Sequence, residues 1–127
     1  MRALVLDDAA VIRRCLRRAL EPEGIEVVEA ADAMEALAVF QSGPPIDLAF
    51  LDWRLPGMDG FELLNIIRSD SKFNHTRILM VSTETDEQYV HDALKAGADE
   101  YIMKPFSQDL IMEKVHKFLP QGHRDQA

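Results

Sequence analysis

The chain has 127 residues, 47% of them hydrophobic, which suffices for one ordinary buried core and leaves no room for a second folded domain. Its net charge of −8 excludes unspecific binding to nucleic acid or anionic lipid, both negative themselves, and favours proteins and cations as partners. A single cysteine, Cys15, excludes an internal disulfide and a cysteine metal cluster and suits a reducing cytoplasm.

The first apolar run, Ala3 to Leu6, meets Asp7 and Asp8 at once. It is too short for a signal peptide or a membrane span, so the protein is expected to be soluble and cytoplasmic, with no membrane partner. Ile12, Cys15, Leu16, Ala19 and Leu20 then recur at helical spacing, which predicts a helix that packs Cys15 into the core and leaves Arg13, Arg14, Arg17 and Arg18 as a solvated face. Pro22 and Gly24 turn the chain into a second run, Ile25 to Glu29. Asp32, with Glu35 three residues on, reads as the capped start of a second helix whose buried stripe is Met34, Leu37 and Ala38. After a turn at Gly43, Pro44 and Pro45, the third run, Ile46 to Leu51, ends at Asp52.

Asp59 and Glu62 repeat the capping arrangement ahead of Leu63, Leu64 and Ile67, predicting a third helix. A fourth run, Ile78 to Val81, precedes a helix over Asp86 to Ala96 that Gly97 stops. The fifth run, Tyr101 to Met103, leads to a last helix from about Ser107 to Leu119, stopped by Pro120, with Leu110, Ile111, Val115, Phe118 and Leu119 on its apolar side. Residues 1–120 are therefore expected to form the domain, and 121–127 a short flexible tail.

Five alternations of strand and helix predict an α/β fold, a five-stranded parallel sheet with helices on both faces, because each right-handed crossover returns the chain for another parallel strand. Continuously apolar runs suit strands covered on both sides. In such sheets ligands bind beyond the carboxyl ends of the strands. Four of the five runs end there in residues with chemistry: Asp7 and Asp8, Asp52, Ser82 and Lys104.

Carboxylates brought together repel, and a hard cation with oxygen ligands relieves them. Magnesium fits best, with Asp8 and Asp52 binding directly, Asp7 through a water, and the backbone carbonyl of Arg54 as a further ligand. Manganese should substitute. Zinc is disfavoured, since there are no cysteine ligands and no paired-histidine motif among His75, His91, His116 and His123, which read as surface residues. Asp52 is the candidate nucleophile for an acyl phosphate, with Lys104 and the Ser82 hydroxyl stabilising charge on the transferred group.

The segments Asp7-Asp8, Leu51-Asp52-Trp53-Arg54-Leu55-Pro56-Gly57-Met58-Asp59-Gly60, Val81-Ser82, Ala96-Gly97-Ala98 and Lys104-Pro105-Phe106 together carry a specific resemblance. From Ala3 to Leu119 the chain resembles a receiver domain of bacterial two-component response regulators, closest in outline to the stand-alone chemotaxis type. That resemblance implies a flavodoxin-like strand order of 2-1-3-4-5. It implies that Asp52 accepts phosphate from a histidine kinase, that small phosphodonors also serve, and that the Lys104–Pro105 bond is cis. It further implies that loading moves Ser82 and turns Tyr101 inward, altering a surface of the fourth helix, fifth strand and fifth helix that includes Val90, Tyr101, Met103 and Phe106.

Thr83 stands where the family usually carries alanine or glycine, so it should narrow access to the phosphoryl group. Arg54 and Glu84 each lie two residues past a site residue and are expected to pair over the pocket mouth, tuning phosphate lifetime. A phosphohydrolase using an aspartyl phosphate would resemble a pattern with a second acid at the position of Arg54. The resemblance points instead to a signalling switch that is not a turnover enzyme. Its readout is a downstream protein in chemotaxis-type signalling or, alternatively, a histidine phosphotransferase in a relay; a third reading is a receiver-fold adaptor that works without phosphorylation.

Overall fold

The computed structural model describes residues 1–119; the expected tail at 121–127 and the domain limit at 120 lie outside the described residues. The strands are β1 (Arg2–Leu6), β2 (Glu26–Ala30), β3 (Leu48–Asp52), β4 (Arg77–Ser82) and β5 (Glu100–Met103). Between and after them come the helices α1 (Ala10–Leu20), α2 (Ala33–Ser42), α3 (Gly60–Arg68), α4 (Glu87–Lys95) and α5 (Gln108–His116). All neighbouring strands pair in parallel, in the order β2-β1-β3-β4-β5, the order the resemblance implies.

Alternate side chains along each strand divide the core in two. Leu4, Leu6, Ala49 and Leu51 point into a cluster with Ala36, Leu63, Ile67 and Ala93, so α2, α3 and α4 cover that face. Ala3, Val5, Leu48 and Phe50 point the other way, against Leu16, Leu20, Ile111 and Val115 of α1 and α5. Every residue of β3 is buried, which explains why its sequence shows no polar alternation. Among the described residues no helix is long and apolar enough to cross a membrane.

Local chemistry fixes where helices begin. Asp32 accepts from the Glu35 amide at 2.8 Å and Ser107 from that of Leu110 at 3.0 Å. Asp59 and Glu62 form a reciprocal capping box, with bonds of 2.8 and 3.3 Å. Each such cap stabilises its helix by about 1 kcal/mol. At the far end of α3, Arg68 donates to the carbonyls of Phe73, Thr76 and Gly97 and pairs with Asp99 at 3.0 Å, tying the helix to the approaches of β4 and β5.

Three expectations need correction. The buried stripe of α2 is Ala33, Ala36 and Phe40, while Met34 is 62% exposed, Ala38 is exposed and Leu37 only half-buried. Ala33 to Phe40 is apolar nearly all round, so periodicity could not set its phase, and small alanines settle against the sheet. The arginines of α1 are not simply solvated: Arg13 and Arg17 each place Nε 2.9 Å from the Glu29 carboxylate of β2. Cys15 is half-buried, not packed within the core.

Candidate functional site

Parallel register brings the strand ends together. Leu6 pairs with Leu51, so Asp7 and Asp52 emerge side by side, and Ser82 and Lys104 follow on β4 and after β5. Asp7, Asp52 and Ser82 are buried, whereas Asp8 is exposed at the rim. Carboxylate oxygens of Asp7, Asp8 and Asp52 lie within 4.8 Å of one another. Lys104 Nζ reaches over them, 2.7 Å from Asp7 Oδ2 and 3.2 Å from Asp52 Oδ1. The Lys104–Pro105 peptide is cis, and the Lys104 amide donates to the Ser82 carbonyl at 2.8 Å.

Electrostatics follow from this crowding. Burial, then the charge of Asp7, pushes the Asp52 carboxyl up to about 6; Lys104 pulls against that shift, and Asp8 adds to it. Burial alone would lower the Lys104 ammonium, but its hydrogen bond to Asp7 and the charges of Asp52 and Asp7 hold it above its ordinary value. Asp7 is further committed, accepting from the Ala9 amide at 2.9 Å. A pocket of hard oxygen donors with excess negative charge suits magnesium or manganese, and its three acidic residues offer zinc neither imidazole nor thiolate.

Gly60 seats α3 against this edge. A methyl group there would lie 1.9 Å from the Asp52 carbonyl oxygen, so no side chain fits, and the Gly60 amide donates to the Trp53 carbonyl at 2.9 Å. Glycine thus lets a helix start touch the backbone of the strand that carries Asp52.

A model of the response regulator receiver domain matches residues 3–116. The chain belongs to the response regulator receiver family. It is 37% identical over 120 residues to chemotaxis protein CheY1 of Helicobacter pylori, covering 94% of this chain and 97% of that one. Among solved structures it resembles the chemotaxis response regulator CheY4 of Vibrio cholerae, with a TM-score of 0.86, 33% identity and coverage of 93% and 98%. It also resembles the response regulator TrrA of Thermotoga maritima in complex with Mg(2+)-BeF, with a TM-score of 0.80, 39% identity and coverage of 93% and 98%.

Around the acid pocket the receiver places the remaining candidates in two layers. On the rim, Thr83 is exposed, and Arg54 pairs with Glu84 through Nη2 at 2.7 Å and Nε at 3.0 Å. The Glu84 hydrogen bond, then its charge, holds the guanidinium above its ordinary range. Tyr89 of α4 joins the pair, its hydroxyl accepting from Arg54 Nη2 at 2.9 Å. Beneath the rim, Tyr101 is buried and its hydroxyl donates to the Glu84 carbonyl at 2.9 Å. Burial raises the Tyr101 phenol, opposed by a hydrogen bond with Ser82. Ser82 Oγ accepts from the Glu84 amide at 3.0 Å, so one loop touches both the pocket and the tyrosine.

Towards the surface of α4, β5 and α5, Val90 and Phe106 are half-buried and Met103 is exposed. Val90 packs on one side of the sheet and Phe106 on the other, so these residues flank β5 without forming one continuous cluster. Sequence reasoning missed Trp53, Phe61 and Tyr89. Trp53 is buried, stacks on Phe61 at 4.8 Å and meets Tyr89 edge to face at 5.0 Å. Their one signal in the sequence is the position of Trp53 directly after Asp52.

Proposed function

We propose that this receiver is a single-domain signalling switch that accepts a phosphoryl group on Asp52 from a sensor histidine kinase and so controls binding to a downstream protein. The gathering of Asp52, two further carboxylates and Lys104 at one sheet edge carries this reading. Transfer forms a bond from an Asp52 carboxylate oxygen to phosphorus as the donor's bond from imidazole nitrogen to phosphorus breaks, leaving the donor histidine free. Asp8, Asp52 and the Arg54 carbonyl would hold magnesium, with Asp7 acting through water, and the ion would supply charge neutralisation; the Mg(2+)-BeF complex of the TrrA relative supports this choice.

The chain's own residues do the rest. Lys104, already over Asp52, pairs with the new phosphoryl oxygens. Ser82 Oγ accepts from the Glu84 amide, and its hydroxyl proton, engaged with Tyr101 before loading, turns to donate to the same group. A shift of Ser82 alters its contacts with Tyr101 and the Glu84 loop, which links the pocket to Val90, Met103 and Phe106 as the partner surface. Thr83 and the Arg54–Glu84 pair stand at the mouth and limit entry of hydrolytic water. The receiver catalyses its own loading and loss of phosphate, and turns over no other substrate. Residues 1–120 are the working unit, in the cytoplasm, and chemotaxis is the favoured setting because the H. pylori and V. cholerae relatives are chemotaxis proteins.

The test is to incubate the protein and Asp52→Asn with magnesium and candidate phosphorylated kinases, then to recover proteins that bind the loaded form. The proposal expects label and phosphate-dependent capture with the unsubstituted protein alone. Capture of the same partner by both proteins without label would support the unphosphorylated adaptor.

A further inference from the structure

At the opposite end of the sheet from Asp52, a cavity of about 140 Å³ opens where the strands begin. Its walls include Phe40 of α2, Pro45 and Ile46 ahead of β3, and Phe73 ahead of β4. Phe40 and Phe73 are buried and meet edge to face at 5.4 Å, which fixes both rings. Close to Phe73 in the chain, the buried Thr76 hydroxyl donates to the Ile46 carbonyl at 2.6 Å, which satisfies both of those polar groups. Apolar space of roughly 150 Å³ inside a protein accommodates one benzene ring.

The mouth of the cavity has the opposite chemistry. Lys72 and His75 line it, both exposed, and Lys72 Nζ sits 5.6 Å from the Phe73 ring centroid. Among the described residues neither side chain forms an ion pair. In a chain of net charge −8, a lysine without an ion pair at the lip of an apolar cavity, beside an imidazole that can donate a hydrogen bond, selects an anionic group attached to an apolar body.

The geometry points to a binding site for a small aromatic monocarboxylate, its ring among Phe40, Ile46 and Phe73 and its carboxylate at Lys72 and His75. The site is independent of the phosphoryl chemistry, since no residue of the acid pocket lines it.

Benzoate, benzamide and acetate titrated into the full chain, with backbone amide shifts followed by NMR, test this assignment. Benzoate should saturate with shifts centred on Phe40, Ile46 and Phe73. Benzamide, with the ring but no charge, should bind about tenfold more weakly, and acetate, with the charge but no ring, should not saturate. Lys72→Ala should weaken benzoate about five- to tenfold and leave benzamide unchanged. A thermal melt of the variant establishes that it is folded, and His75→Gln, which should also weaken benzoate, gives a second reading of the polar mouth. Equal affinity for benzoate and benzamide, equal affinity for benzoate with and without Lys72, shifts centred elsewhere, or no saturable benzoate binding would each overturn the proposal.

Discussion

Replacing Asp52 with asparagine should make the metal-free receiver more stable at neutral pH, although it removes the proposed phosphoacceptor. Burial and the neighbouring Asp7 raise the Asp52 carboxyl from 3.8 to about 6 in the folded chain. The folded state therefore holds this proton more tightly than the unfolded state. Between about pH 4 and pH 6 the unfolded chain ionises first, so stability falls as pH rises through that window and levels off above it. The difference corresponds to at most about 3 kcal/mol, and water at the pocket mouth screens it to roughly 1–2 kcal/mol. Asparagine matches aspartate in size, carries no charge and keeps an oxygen for Lys104. Urea unfolding in a chelator, followed by fluorescence of the sole tryptophan, Trp53, reads the difference directly. Asp52→Asn should gain roughly 1–2 kcal/mol near pH 7 and nothing below about pH 4. A variant no more stable than the parent near neutrality, or a gap that persists in acid, would refute the electrostatic reasoning.

Other consequences can be measured separately. Gly60→Ala drives a methyl group to 1.9 Å from the Asp52 carbonyl oxygen, and the forced backbone shift should cost about 3 kcal/mol or more in urea unfolding. Lys104→Met should slow loading from a small phosphodonor at least about tenfold, measured from the rate of the Trp53 fluorescence change, because a charge aimed at the phosphoryl oxygens is gone. Magnesium affinity, measured by calorimetry, should fall about tenfold for each pH unit below the Asp52 value of about 6, as protons compete for the carboxylate. Arg54→Ala and Glu84→Ala should each shorten phosphate lifetime in a hydrolysis assay; unchanged lifetimes in both would leave the rim pair without a kinetic role.

Features set by near neighbours along the chain are legible in the sequence. The caps at Asp32 and Asp59, the start of the last helix at Ser107 and the polar residues ending the strands depend on a few adjacent positions, and strand parity plus crossover handedness then bring Asp7, Asp52, Ser82 and Lys104 to one edge. Features set by the rotation of a helix are not. The phase of α2 stays hidden because Ala33 to Phe40 is apolar on nearly every side, leaving Met34 in solvent where periodicity suggests a buried contact. Tyr89 joins Arg54 only because α4 turns that side chain towards the loop after β3. The pairing of Arg13 and Arg17 with Glu29 likewise depends on the edge position of β2, which spacing within α1 does not reveal. The cavity at Phe40 and Phe73 joins segments about thirty residues apart and has no local signature.

The central claim is that Asp52 carries the phosphoryl group with help from a divalent ion. Intact and peptide mass spectrometry after exposure to a small phosphodonor, with magnesium or with a chelator, tests it most directly. The account predicts one alkali-labile phosphoryl group on the peptide containing Asp52, formed in magnesium and absent both in chelator and in Asp52→Asn. Phosphate on another residue, equal loading without a divalent ion, or loading that survives in Asp52→Asn would contradict it.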